Sequence, residues 1–223
     1  MLLEPSAKAQ TTPTLTHWWK FNDGSGTVAI DSADSAPGTL TGSASWVAGS
    51  DETYAVSVGN SSYNGGGAVA FPTNLPAAFT FSFWVNPSDY NSAIGGYGAY
   101  NNVLFAGEQY STNGFRSGFT STGVFSFWTT ESGGTLTLND TSAIATGVWN
   151  WFAVTYSGGS ASLYRNGALV ATASGTYIPG TTNMGLDTGT GGVDFYWGNV
   201  DDTRIYNSAL SASAILALYQ QSR

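Results

Sequence analysis

Residues 149–173 read WNWFAVTYSGGSASLYRNGALVATA. Three runs of aromatic, β-branched and small residues are separated by SGG and by Asn166-Gly167. Asn-Gly between two such runs marks a two-residue type I′ hairpin, because both central residues must take a positive φ. The stretch therefore predicts an antiparallel meander, and a chain rich in such meanders is all-β.

The rest of the chain agrees. Its 223 residues include 29 Gly, 12 Tyr, 12 Phe and 8 Trp, a composition suited to many short strands joined by tight turns. That length suits one sandwich with a large core, and no internal repeat or linker divides it. FTFSFWV at 79–85 alternates so that Phe79, Phe81, Phe83 and Val85 share one face and Thr80, Ser82 and Trp84 the other. Near the end, LSASAILALYQ places Leu210, Ile215, Leu218 and Tyr219 at helical spacing behind Ser211 as N-cap, which predicts one short terminal helix.

Charge excludes some partners. The formal net charge is −8 and the six Lys and Arg are scattered, so no basic stripe exists to neutralise phosphates or an anionic membrane surface. No run reaches the roughly 18 to 20 apolar residues of a membrane span. The absence of cysteine removes disulfides, zinc-thiolate sites and cysteine nucleophiles. Residues 1–15 are polar apart from their first few positions and read as a flexible or partner-docking arm; Ala7-Lys8-Ala9 also has the form of a signal-peptide cleavage site.

Only 9% of the residues are charged, yet Asp201, Asp202 and Arg204 crowd one strand-like stretch, WGNVDDTRIYNSALS at 197–211. Such a cluster is costly to bury unless it is paired. Catalysis has little to stand on: the glutamates are Glu4, Glu52, Glu108 and Glu131, far apart in sequence, with no strand bearing E-x-D-x-x-E. His17, beside Trp18 and Trp19, has no nucleophile arrangement around it and reads as structural. Trp149 and Trp151 read as core, and the triplets at Asn60 and Asn139 match the glycosylation sequon.

Five blocks together resemble a known family. HWWKFNDGSGTVAIDSA (17–33), GTLTG (38–42), FTFSFWVNP (79–87), WNWFAVTYSG with LYRNGALV (149–170) and VDDTRIYNSALSASAILALY (200–219) are similar to the LamG-like jelly-roll domains of the concanavalin A-like lectin/glucanase superfamily. The matched blocks run in family order from about residue 15 to 220, which makes 16–223 the jelly-roll domain, and the resemblance implies a two-sheet antiparallel jelly-roll β-sandwich with its termini together, often with Ca²⁺ near the paired terminal segments. It also implies a non-catalytic binding module for glycans or proteins, extracellular or surface-exposed. On this reading the cation's oxygens come from Asn22, Asp23, the Gly26 carbonyl, Asp31, Asp201 and Asp202. Asn22-Asp23 stands where the family has an acidic pair, which weakens the site. The alternative pairs one aspartate with Arg204 and uses the other to cap a turn.

Binding has its own signal in the long segment 86–115, where Tyr90, Tyr97, Tyr100 and Tyr110 stand among Asn, Ser and Gly. Trp84 and Trp128 each fall opposite a core-facing row and suggest one stacking platform for a sugar ring, rimmed by Asn101, Asn102, Glu108 and Arg116. Two functions stay open: a carbohydrate-binding domain with a structural Ca²⁺, or an assembly protein, such as a virion or surface-layer subunit, that self-associates through the sandwich and its arm.

Overall fold

The computed structural model describes residues 13–51, 53–59, 66–90, 102–107, 113–129, 136–187 and 196–222. In chain order the strands are β1 (Leu15–Trp19), β2 (Val28–Ala29), β3 (Gly38–Gly42), β4 (Ser45–Ala48), β5 (Tyr54–Val58), β6 (Gly67–Ala70), β7 (Phe79–Pro87) and β8 (Asn102–Gly107). They continue as β9 (Phe115–Phe119), β10 (Phe125–Thr129), β11 (Thr137–Asn139), β12 (Asn150–Ser157), β13 (Ser160–Arg165), β14 (Ala168–Ser174), β15 (Met184–Leu186) and β16 (Gly198–Tyr206), before helix α1 (Ala212–Gln221). One sheet has the order β14-β13-β12-β7-β16-β5-β4 with β1 added on β16; the other runs β11-β10-β9-β8-β15-β6-β3-β2. Neighbouring strands are antiparallel, as the meander predicts.

The core is aromatic and lies between the sheets. Phe79, Phe81, Phe83 and Val85 of β7 are fully buried, as their alternation requires. Across the sandwich, Phe83 lies 5.9 Å from Phe125, Phe79 lies 6.0 Å from Phe127, and Phe125 stacks on Phe152 at 4.4 Å. Each such ring pair adds about 0.5–1.5 kcal/mol beyond area burial. The Asn166-Gly167 turn has φ of 51° and 80°, the positive values its type demands.

The helix closes the outer face of the first sheet. Ser211 Oγ accepts from Ala214 N at 3.3 Å, and Ile215, Leu218 and Tyr219 are buried against Trp84, Trp151, Ala153 and Tyr164. Trp84 Nε1 donates to the Ser222 carbonyl at 2.8 Å, which pins the end of α1 to β7. The platform expected to include Trp84 is therefore corrected: its indole is 7% exposed and roofed by α1. Sequence alternation separates the two faces of a strand, but it does not say which outer face receives a helix.

A buried acid lies at the end of β15. Asp187, 2% exposed with φ of 54°, accepts from Tyr196 N through Oδ1 at 2.8 Å, while its Oδ2 finds no partner among the described residues. Burial pushes its carboxyl up to about 8, opposed by the Tyr196 bond. A folded pKa above the unfolded 3.8 means the folded state holds the proton more tightly, so stability is lost as pH rises from about 4 through about 8 and is level beyond. Asp187→Asn, a neutral copy of the protonated form, is expected to raise the melting temperature at pH 9 and leave it nearly unchanged at pH 4, read by circular dichroism.

Candidate functional site

The crowded charges of β16 are explained by a bulge. Asp201 lies opposite Trp84 and Arg204 opposite Ser82, so β16 carries one more residue than β7 across this interval. With strict alternation Asp202 and Arg204 would point into the core. The extra residue, with Asp202 at φ of 46°, instead keeps Asp201, Asp202 and Arg204 on the outer side and returns Thr203 and Ile205 to the interior.

These groups line a polar cleft of about 240 Å³, walled by Trp18, Lys20, Asn22, Ser50 and Asp51 and by Gln221 and Ser222 at the end of α1. Asp202 Oδ1 accepts from Arg204 Nε at 2.9 Å and from Trp18 Nε1 at 2.5 Å. Asp201 Oδ2 accepts from the amide and hydroxyl of Ser50 at 2.9 and 2.8 Å. Two cations pack on the Trp18 ring, with Lys20 Nζ 4.1 Å and the Arg204 guanidinium carbon 4.4 Å from its centroid. Burial pushes the Asp201 carboxyl up to about 6 against its Ser50 bonds. Burial also raises Asp202, opposed by the charge of Arg204 and the Trp18 bond.

Of the expected cation ligands, Asn22, Asp201 and Asp202 meet in this cleft, whereas the others are engaged elsewhere. Asp31 Oδ2 holds His17 Nδ1 at 2.8 Å, and its Oδ1 accepts from Trp18 N, Ala33 N and Asp34 N. The Gly26 carbonyl accepts from Trp46 Nε1 at 2.9 Å, and Asp23 Oδ2 from Ile30 N at 3.2 Å. His17 is thus structural, its Nε2 meeting Thr73 Oγ1 at 3.1 Å. Both pairings of the metal-free alternative are present too, with Asp202 on Arg204 and Asp201 on the Ser50 turn.

Ser50 and Asp51 were missed by sequence reasoning, since their only signal is an acid in a Gly/Ser turn. Thr53 Oγ1 bonds both Asn22 Oδ1 and Asp51 Oδ1 and ties that turn to the cleft. Among the described residues no group of three or more His, Cys, Asp and Glu is arranged to hold a metal. Asp202 Oδ2 is nevertheless buried without a partner among the described residues, and Asn22, Asp51, Gln221 and Ser222 line the same cleft.

A second surface lies on the opposite side of the molecule. Register places Thr137, Trp128, Arg116, Ala106, Gly185, Ala70, Thr39 and Val28 in one row across the second sheet. Phe127 and Leu138 beside this row point into the core, so the row faces outward. Trp128 and Arg116 are half-buried, Ala106 and Gly185 are small and buried, and Ala70 and Thr39 are exposed. Ser126 Oγ donates to Asn139 Oδ1 at 2.8 Å in the adjoining row.

The other expected ligand contacts do not join this row. Tyr90 packs 5.5 Å from Phe119 and donates to the Ile144 carbonyl at 3.1 Å, and burial raises its phenol. Asn102 is fully buried and donates to the Phe119 carbonyl at 3.4 Å. Both serve packing. Tyr97, Tyr100, Asn101, Glu108 and Tyr110 lie outside the described residues.

A family model described as the concanavalin A-like lectin/glucanases superfamily matches residues 62–216. No curated protein matches the chain significantly by sequence. Domain 4 of an extracellular GH43 arabinanase from Geobacillus stearothermophilus, solved in complex with arabinotriose, is similar with a TM-score of 0.70 and 20% identity, over 93% of this chain and 99% of that one. The binding domain of Paraclostridial Mosquitocidal Protein 1 gives 0.71 and 14%, over 93% of this chain and 51% of that one. The binding domain of botulinum neurotoxin DC in complex with SialylT gives 0.70 and 13%, over 94% and 52%. The chain thus spans about half the length of those two binding domains. At these identities the likeness shows a shared fold alone.

The cleft yields a test of its ion pair. Arg204→Met keeps an apolar stem against Trp18 but leaves Asp202 without its cation, and is expected to cost about 3 kcal/mol in urea unfolding. Adding Asp202→Asn should recover most of that loss.

Proposed function

Because the chain belongs to the concanavalin A-like lectin/glucanase superfamily, we propose that it is a non-catalytic, extracellular carbohydrate-binding domain whose site is the outer face of the second sheet. The observation that carries this reading is the outward row that aligns Trp128 and Arg116 with Ala106, Gly185 and Ala70. An indole face stacks on the C–H surface of a pyranose or furanose, and a guanidinium donates to ring hydroxyls. The arabinotriose complex of the arabinanase domain and the SialylT complex of the neurotoxin domain support a sugar ligand on this fold. The close acids Asp201 and Asp202 are held by Ser50, Trp18 and Arg204 on the opposite side, which supports a site without acid-base machinery.

The polar cleft has a different role in this proposal. Asn22, Asp51, Asp201 and Asp202 hold a structural Ca²⁺ that supplies positive charge where buried carboxylates repel, and so ties β1, the 50–53 turn and β16 together. The sugar site itself does not require the ion.

A broad glycan array, run with Ca²⁺ and again with EGTA, is expected to give the same defined glycan hits in both conditions. Trp128→Ala should weaken the best hit about tenfold, the value of roughly one stacking contact, in a chain whose far-UV circular dichroism stays that of the folded protein. Silence across a validated array would set the sugar reading aside.

For the ion, Ca²⁺ is expected to raise the melting temperature of the native chain and not of Asp202→Ala. No calorimetric heat and no effect of EGTA would remove the metal.

A further inference from the structure

The strands that terminate the two sheets differ in length. β2 has 2 residues, β11 has 3 and β4 has 4. Edges this short offer few backbone groups to another chain. β14 is the exception, with 7 residues at the margin of the first sheet, and among the described residues no strand pairs with its outer side. It contains neither proline nor a charged residue, the usual guards of such an edge. A groove of about 280 Å³ runs beside it, lined by Leu169, Val170, Ala171 and Thr172.

Register identifies the groups on offer. Gly175 N donates to the Gly159 carbonyl at 3.0 Å, so Gly175 turns toward the β13 side. Backbone groups alternate along an antiparallel strand, which turns Ala173 and Ala171 inward as well, opposite Ala161 and Leu163, and leaves the amides and carbonyls of Ser174 and Thr172 facing out. The bulge beside Leu163 lies just before this regular stretch. The side chains of Thr172 and Ser174 are exposed, whereas Val170, Ala171 and Ala173 are half-buried against the main core. The core therefore reaches this margin and stops there partly uncovered.

Charge points to the occupant. The chain carries a net charge of −8, so two copies repel unless they meet through a surface with no charge of its own. No Asp, Glu, Lys, Arg or His occurs from 166 to 186 or from 205 to 222, the spans that hold β14 and α1. The two elements adjoin at the hairpin turn, where a Cβ on Gly167 would lie 3.0 Å from Leu216 Cδ1. Leu169 of β14 and Leu216 of α1 are 54% and 45% exposed. The longest unpaired edge is thus also an uncharged, partly apolar margin.

We propose that the chain forms a two-fold dimer in which β14 pairs antiparallel with β14 of a second copy, centred on Thr172. An antiparallel strand is its own complement under a two-fold axis, so one patch serves both partners. In this register the N–H and C=O of Thr172 exchange bonds with those of the second copy's Thr172, and Ala171 stands opposite the second copy's Ala173, so that half-buried alanines cover one another. The two first sheets become one sheet, with both helices on one side and both second sheets on the other. So few residues make a small, reversible interface. The dimer needs neither the Ca²⁺ nor the sugar reading; resting on the sugar reading, it turns both Trp128 rows to the same side, where a polymeric glycan is held at two points.

Sedimentation equilibrium of the full chain, over the micromolar concentrations at which small interfaces dissociate, is expected to show the mean mass rising toward twice that of one chain. Thr172→Pro removes an outward N–H and leaves the ladder to β13 intact, so it should weaken dimerisation about tenfold while the far-UV circular dichroism stays that of the folded protein. Thr172→Lys and Thr172→Glu each set like charges against each other across the axis and should each lower association, whereas an equal mixture of the two should associate about threefold more tightly than either alone. A native chain that stays monomeric throughout would overturn the proposal, leaving the edge to a different partner. So would a dimer that none of these substitutions weakens, or a mixture no tighter than its components, since either places the contact away from Thr172. None of these masses depends on a glycan, so failure here and failure of the sugar reading are read separately.

Discussion

The pairing of β7 with β16 is the constraint on which the rest of the molecule depends. Both strands are buried on their two faces, and their register is set by the inner pairs Val85 with Val200 and Phe81 with Ile205. A strand has one register for both faces, so whatever satisfies the core also fixes what stands outside. Val200 and Ile205 are five residues apart, an odd interval that strict alternation would put on opposite faces. The bulge at Asp202 resolves the conflict. It sends three charged side chains outward together, and their mutual pairing with Trp18 and Ser50 is what makes the cleft.

The two outer faces have opposite fates. On the first sheet, α1 lays Ile215, Leu218 and Tyr219 over Trp84 and Trp151, converting an amphipathic sheet into a buried layer. On the second sheet no helix among the described residues arrives, and the row from Trp128 to Thr39 lies on the outer face. Trp84 and Trp128 occupy equivalent places in their local sequence patterns, each opposite a row of core phenylalanines. Only the destination of the last ten-residue helix separates a structural indole from a candidate sugar platform.

Much of the architecture was legible in the sequence because it rests on short-range rules. The alternation of 79–85, the positive-φ pair Asn166-Gly167 and the helical spacing behind Ser211 each specify an element through local geometry, and each element forms where those rules put it. The candidate sites were legible only in part. Asp201, Asp202 and Asn22 do meet, but Asp31 spends its oxygens on His17 and three backbone amides, and the Gly26 carbonyl on Trp46.

What the sequence determined by itself is an all-β chain with an aromatic core, a terminal helix and an acid cluster too costly to leave unpaired. The tertiary structure decided which carboxylate oxygens are consumed by neighbours and which outer face is roofed. Those outcomes turn on partners far along the chain, such as Ser50 for Asp201 and Trp18 for Asp202, and no local periodicity encodes a hydrogen bond across that separation.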